Sequence, residues 1–382
     1  MSRIENPAQA LEFVRAAHQA GTPFEIVAGG TRRSVGKPLN GLPVLDVSAL
    51  SGIVKYEPEE LILTTQPATT LAEINTVLAA KNQRLGFDPA DWSSLLSSNG
   101  ATTLAGAVSC DASGSGRLRH GGARDSLLGF QAVNGLGESF RAGGKVVKNV
   151  TGFDLPKLVC GAYGTLCVLT EMTFRVYPKA QHSAVLCLSD VTPDIGFAAL
   201  RRIARSALEP AGLAYLPASM LALAQFDGGQ GAALIKLEGA SKVLEEKIAM
   251  AHGLLGDGLL RIEDDMFGAI GNGEKFAASA GDVWRVMIAP ADAPHVVKEL
   301  NARHWLADWA GGLIWLSAHP TDAARIRKVA AGVQGQAMLL RASPESRAAL
   351  SLYAPQPPAL AALNRAVKAA FDPLSLFNPG RL

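Results

Sequence analysis

No C-x-x-C pair occurs in this chain. Its four cysteines, Cys110, Cys160, Cys167 and Cys187, have neither a zinc spacing nor the spacing of a local four-cysteine iron–sulfur motif. Cys160 and Cys167 stand in apolar runs and read as buried, reduced thiols. Nowhere does an uninterrupted apolar run approach the roughly 18 residues of a membrane span. The opening Met1-Ser2-Arg3-Ile4-Glu5 lacks an apolar signal core. Charge of one sign is missing too: 36 basic and 34 acidic residues leave a formal charge of +2, so bulk charge points to no nucleic acid and no membrane surface. These absences together lead us to expect a cytosolic protein, attached to a membrane at most peripherally.

What is present is glycine, 39 residues of it, in a chain of 382 that is 48% hydrophobic and 18% charged. That composition is globular, and the length calls for two or more domains. The glycines concentrate in three stretches. The first is Ile26-Val27-Ala28-Gly29-Gly30-Thr31-Arg32-Arg33-Ser34-Val35-Gly36, following a short strand from Phe24 to Ala28. It is not a P-loop and not a G-x-G-x-x-G fingerprint, and a turn-like Lys37-Pro38-Leu39-Asn40-Gly41 follows it where a helix would be needed. Small residues let backbone N–H groups form a concave anion nest. Thr31 and Ser34 add hydroxyl donors, and Arg32 and Arg33 add charge, which suits a phosphate or pyrophosphate. Taken alone, the stretch reads equally as an ordinary turn with a surface basic pair.

The second stretch, Asn99 to Gly122 and on to Asp125, is too poor in large apolar residues to build a core and suits close wrapping of a large flat or phosphorylated ligand. The third runs from Lys148-Asn149-Val150-Thr151-Gly152-Phe153-Asp154-Leu155 to Gly161-Ala162-Tyr163-Gly164-Thr165-Leu166.

Around these stretches the pattern alternates. Asn6 caps a helix over 8–20 that Gly21 stops; Val44–Val47 and Leu61–Thr65 read as strands. Thr70 with Glu73 opens a helix to about Lys81. Leu127–Asn134 and Ser139–Arg141 form a hairpin, and Leu166–Leu169 and Met172–Tyr177 read as two further strands. Over 181–353 we expect strands at 183–188, 231–237, 283–289 and 313–317, and helices at 197–208, 241–254, 294–306 and 321–331. A mainly antiparallel α+β layer follows from these. A proline-rich linker at 354–358 precedes a last helix, 359–370. Single histidines at 18, 295, 304 and 319 read as face, surface or structural residues.

The three glycine stretches, in this order, resemble the FAD-binding domain of the PCMH, or vanillyl-alcohol oxidase, type. The closing Asp372-Pro373 … Asn378-Pro379-Gly380-Arg381 is similar to the tail of the glycolate oxidase and D-lactate dehydrogenase branch. Chain length and V-K-N-V-T-G-F-D-L narrow the resemblance to the FAD-binding E subunits of bacterial glycolate oxidases. The resemblance implies an α+β protein. A two-subdomain PCMH-type FAD-binding domain spans 1–180, and a smaller α+β cap with an antiparallel sheet spans 181–353. A return segment of linker, helix and tail follows at 354–382.

It further implies that Gly29, Gly30, Thr31, Arg32, Arg33 and Ser34 surround the FAD pyrophosphate. Thr103, Leu104, Gly106, Ser113, Gly114, Arg117, His120 and Gly121 would line the flavin side, with His120 equally readable as a packing residue. Gly164, Thr165 and Val168 would close the pocket. Arginines stand where covalent members carry a first-loop histidine, so FAD is expected to be non-covalent. The implied activity is oxidation of glycolate or another 2-hydroxy acid to the 2-oxo acid. The implied partners are a paralogous FAD-linked subunit and an iron–sulfur subunit that takes the electrons. A stand-alone D-2-hydroxy-acid dehydrogenase and a non-catalytic flavin-binding scaffold are the alternatives. Catalytic relatives carry an H-x-G-D-G-N-x-H cluster in the cap, and this chain has none. Arg285 and Arg341 are the cations left as candidates for a substrate carboxylate, no metal site is expected, and the chemistry is expected in the sister subunit.

Overall fold

A computed structural model describes residues 1–144, 153–221 and 229–381. The run Lys148–Gly152 of the third stretch lies outside them. The chain divides into two compact units. One comprises Met1–Ser113, Gly121–Lys179 and Leu350–Leu382; the other comprises Gly114–His120 and Ala180–Ala349.

The first unit opens with helix Pro7–Ala20. The Asn6 side chain caps it by accepting from Gln9 N, Pro7 supplies its fixed φ at the first turn, and Gly21 ends it at φ 60°. Ala10, Val14 and Ala17, at helical spacing, are its buried face. Beside it Ser2–Arg3, Val44–Asp46 and Glu25–Val27 form a small parallel sheet in that order. A larger antiparallel sheet takes Ile53–Glu57, Ile62–Thr65, Val168–Pro178, Leu127–Val133 and Ser139–Gly143 in that order, and Gln83–Leu85 also pairs with Val168–Pro178. The two strands expected over 166–177 are therefore one strand of 11 residues. Its register shifts against its neighbour between Gln131 and Ala132, so an irregularity absorbs the break that the sequence pattern suggested.

The second glycine stretch does contribute to a core, contrary to expectation. Leu104–Ser109 is a short helix capped by Thr103, whose Oγ1 accepts from Gly106 N at 3.3 Å. Leu104, Ala105 and Val108 pack with Leu63, Ile74, Phe87, Met172 and Phe174. Three apolar side chains on one short helix suffice where the sheet supplies the opposite wall.

In the second unit eight described strands form one antiparallel sheet. Its order is Leu259–Ile262, His182–Ser189, Gly231–Gly239, Gly212–Pro217, His304–Asp308, Leu313–Ala318, Asp282–Met287 and Gln336–Arg341. Helix Pro193–Ala204 starts four residues before the expected 197, because Thr192 caps it and Pro193 fits the first turn. The helix expected over 294–306 stops at Leu300. Asn301 takes φ 41° there, and His304–Asp308 turns into a strand. The α+β class with antiparallel sheets is the architecture found.

Candidate functional site

The first unit contains an open cleft. Residues within 25–33, 103–110 and 163–169 supply most of its wall, with Val47, Pro67 and the tail residues Asn378 and Arg381.

Backbone packing shapes the first wall. A Cβ on Gly29 would fall 1.9 Å from Ala101 O, and one on Gly100 would fall 1.8 Å from Gly29 O. Those two glycines let the first and second stretches lie backbone against backbone. Gly30 serves the turn itself, at φ 73° with nothing closer than 4.0 Å to its missing Cβ.

Arg32 is buried in this wall. Its Nη2 donates to Ala90 O at 2.6 Å, and its guanidinium lies 5.1 Å from the Trp92 ring centre. Nε and Nη1 are buried without a hydrogen-bond partner. Burial lowers its pKa, against the raising influence of Cys110, Asp91 and Tyr163. Asp91 accepts from Thr102 Oγ1 at 2.5 Å and from Ser93 N at 3.0 Å. Burial pushes its carboxyl up, but these bonds and Arg32 outweigh that and hold it below the ordinary range.

Arg33 is turned to Glu25, with Nη2 at 2.5 Å and Nε at 3.1 Å from its carboxylate. Glu25 is buried and also receives Arg381 Nη2 at 3.0 Å. Burial raises the Cys110 thiol, so it is protonated at neutral pH.

Of the residues expected to contact a cofactor, Gly29, Gly30, Thr31, Arg32, Arg33, Thr103, Gly106 and Gly164 line the cleft. Ser34, Leu104, Ser113, Gly121, Thr165 and Val168 belong to the same unit but not to the cleft wall; Leu104 and Val168 are core residues. Gly114, Arg117 and His120 belong to the second unit. There Gly114 O accepts from Trp309 Nε1 at 2.9 Å, Arg117 lies 5.4 Å from the Trp309 ring, and His120 Nε2 is 3.8 Å from Glu238. Sequence reasoning missed Glu25, Ser109, Cys110, Tyr163, Asn378 and Arg381 as wall residues. Only the tail carried a signal, its N-P-G-R motif.

Comparison with known proteins settles the kind of fold and cofactor. Residues 2–143 match the family described as FAD binding domain. The glycolate oxidase subunit GlcE of Escherichia coli (strain K12) is 32% identical over 377 residues, covering 97% of this chain and 96% of that protein. This chain belongs to the GlcE family. The glycolate oxidase subunit GlcD of Bacillus subtilis (strain 168) is 30% identical over 179 residues, 47% of this chain and 37% of that protein. Among solved structures, alkyldihydroxyacetonephosphate synthase superposes with a TM-score of 0.73 at 15% identity, over 100% of this chain and 76% of that one, which shows the shared fold.

A GlcE-family chain with an FAD-binding domain takes FAD as its cofactor, and the cleft fits that group. The unused Nε and Nη1 of Arg32 are buried donors that a dianionic pyrophosphate would satisfy. Gly106 leaves room beside them, since a Cβ there would sit 3.4 Å from Arg32 Nη1. Three arginines line the cleft, Arg32 and Arg33 from the first loop and Arg381 from the tail, against the one carboxylate of Glu25. Among the described residues no group of three or more His, Cys, Asp or Glu is placed to hold a metal. No described helix is long and apolar enough to cross a membrane. Arg341, one of the two candidate substrate cations, is committed to the chain in the second unit. Its guanidinium donates to Phe276 O, Ala277 O, Ser279 O and Gly281 O. Arg285 lies between the Trp309 and Trp315 rings, 5.3 and 5.0 Å from their centres.

Proposed function

We propose that this chain is the FAD-binding subunit of a glycolate oxidase-type complex, acting on glycolate or a related 2-hydroxy acid. The observation that carries the reading is the end-to-end match to GlcE, which extends over both units and not over the FAD-binding domain alone. In the overall reaction the C–H and O–H hydrogens of the alcohol carbon leave as two electrons and two protons, and the 2-oxo acid, glyoxylate from glycolate, remains. Bound FAD supplies a two-electron acceptor.

The chain's own contribution is to bind and orient. Arg32, on its aromatic support Trp92, offers fixed charge-assisted donors to the pyrophosphate. Thr31, Thr103 and the backbone around Gly29 and Gly30 complete the wall that would receive it. No described side-chain cluster resembles the histidine constellation of catalytic relatives. We therefore place substrate oxidation in a paralogous, GlcD-like subunit, with this chain's flavin receiving or relaying electrons toward an iron–sulfur subunit. FAD is held non-covalently in this reading, as the first loop offers arginines in place of a histidine.

The test is the visible spectrum of the purified chain under anaerobic glycolate, alone and with the paralogous subunit. The flavin band is expected to stay oxidised alone and to bleach in the complex. Bleaching of the isolated chain would overturn the division of labour, and release of no FAD on acid precipitation would overturn non-covalent binding.

A further inference from the structure

The tail holds together two walls of the cleft from below. It returns beside the first strand: Phe24 N donates to Leu376 O at 2.8 Å, and Asn378 N donates to Phe24 O at 3.0 Å. The turn before it is fixed by buried Asp372, which accepts from Leu376 N and Phe377 N, both at 2.9 Å. Two side chains then reach outward from this anchored segment. Asn378 Oδ1 accepts from Ile26 N at 2.9 Å, at the root of the first loop. Its Nδ2 donates to Tyr163 O at 3.0 Å and Gly164 O at 3.2 Å, in the third stretch. Those two residues take φ 53° and 66°, and for a tyrosine that is an unfavourable backbone state. Arg381 Nη1 donates to Arg32 O at 3.2 Å and Val35 O at 3.1 Å, while Nη2 meets Glu25.

We infer that Asn378 and Arg381 are positioning residues for FAD: they fix the backbone of the first loop and of the Tyr163–Gly164 turn in the form the cofactor meets. The reason lies in where the contacts end. Apart from Glu25 and Val35, every partner named for these two side chains is a backbone atom of a residue lining the cleft. The apolar anchors Leu376 and Phe377 belong to the core and stay in place when the two polar heads are changed. Asn378 closes the Tyr163–Gly164 turn, in which both residues take positive φ. Arg381 neutralises buried Glu25 and satisfies two loop carbonyls at once, which the single-point ammonium of a lysine cannot reproduce. The inference rests on the reading that this cleft takes FAD.

The experiment titrates FAD into the apo full chain carrying Arg381→Ala, Arg381→Lys, Asn378→Asp or Asn378→Ser. It reads flavin fluorescence quenching and the visible circular dichroism of bound flavin, with the apo urea midpoint measured for each. Arg32→Met serves as the control for the cleft itself. The alanine and aspartate variants are expected to weaken binding by roughly ten- to a hundredfold and to alter the dichroism of the flavin still bound. Arg381→Lys should recover part of the affinity. Wild-type affinity in the tail variants overturns the inference. So does a loss that tracks the fall in apo stability while the dichroism is unchanged, since that marks a structural role only. If Arg32→Met retains FAD, the reading of the cleft falls; if it loses FAD while the tail variants keep it, only the positioning role falls. Asn378→Ser and Arg381→Lys carry the test should Arg381→Ala prove insoluble.

Discussion

Gly29 and Gly100 meet backbone to backbone: a Cβ on the second would lie 1.8 Å from the carbonyl oxygen of the first. The contact joins two glycine stretches that look, in sequence, like separate ligand loops. Gly29→Ala and Gly100→Ala should therefore damage the apo protein, each by about 3 kcal/mol or more, since backbone must move to admit the methyl group. Gly30→Ala meets no atom and should cost about 1–2 kcal/mol from its left-handed φ alone. Urea unfolding of the three variants without FAD checks the order.

Arg32→Met should act in the opposite sense on stability. It removes a buried guanidinium whose burial already lowers its pKa, so apo stability should hold or rise. FAD affinity should fall roughly ten- to a hundredfold with the loss of charge-assisted donors. Thermal unfolding with and without saturating FAD separates the two effects: the cofactor-induced rise in Tm should shrink while the apo Tm does not drop.

Burial pushes the thiols of Cys160 and Cys167 from 9.0 up to about 12. The unfolded chain loses these protons near its ordinary value while the native state keeps them. Their contribution to stability is thus complete below pH 9.0 and is lost as pH rises from there to about 12. The urea midpoint should fall between about pH 8 and about pH 10.5, and less steeply in Cys167→Ala. Native protein at about pH 8 should be unreactive toward a thiol-specific disulfide reagent.

Arg341 gathers four backbone carbonyls of the 276–281 segment and Ser279 Oγ. Replacement by Met should destabilise the second unit by roughly 2–4 kcal/mol through unsatisfied buried carbonyls, leaving the FAD affinity of the chain near wild type. If Arg341→Met instead preserves stability and raises the glycolate KM of the complex, the side chain serves substrate and not the loop.

Local signals in the sequence carried a large part of this. Asn6-Pro7 and Gly21 bound the first helix because caps act within a few residues. The three glycine stretches pointed to one site through their family resemblance, although the second also supplies core residues at Leu104, Ala105 and Val108. What stayed hidden depends on distance along the chain. Glu25 gives no local sign of its burial, which depends on Arg381, 356 residues later. The helix expected to run on to Leu306 ends at Asn301 because of one left-handed residue, which apolar periodicity does not register. Gly29 lines the cleft, yet its tightest constraint comes from the backbone of Ala101 in its own chain.

Because Arg381 is joined to Glu25 across 356 residues, the order of synthesis matters. At a ribosomal rate of ~5–20 residues per second, the first loop emerges on the order of 20–70 s before the residue that braces it. Through that interval the nascent chain has made most of its flavin cleft but not its support. If the tail positions FAD as inferred above, cofactor loading in the cell follows completion of the tail. A strain starved of riboflavin should accumulate finished apoprotein rather than stalled or half-made chains.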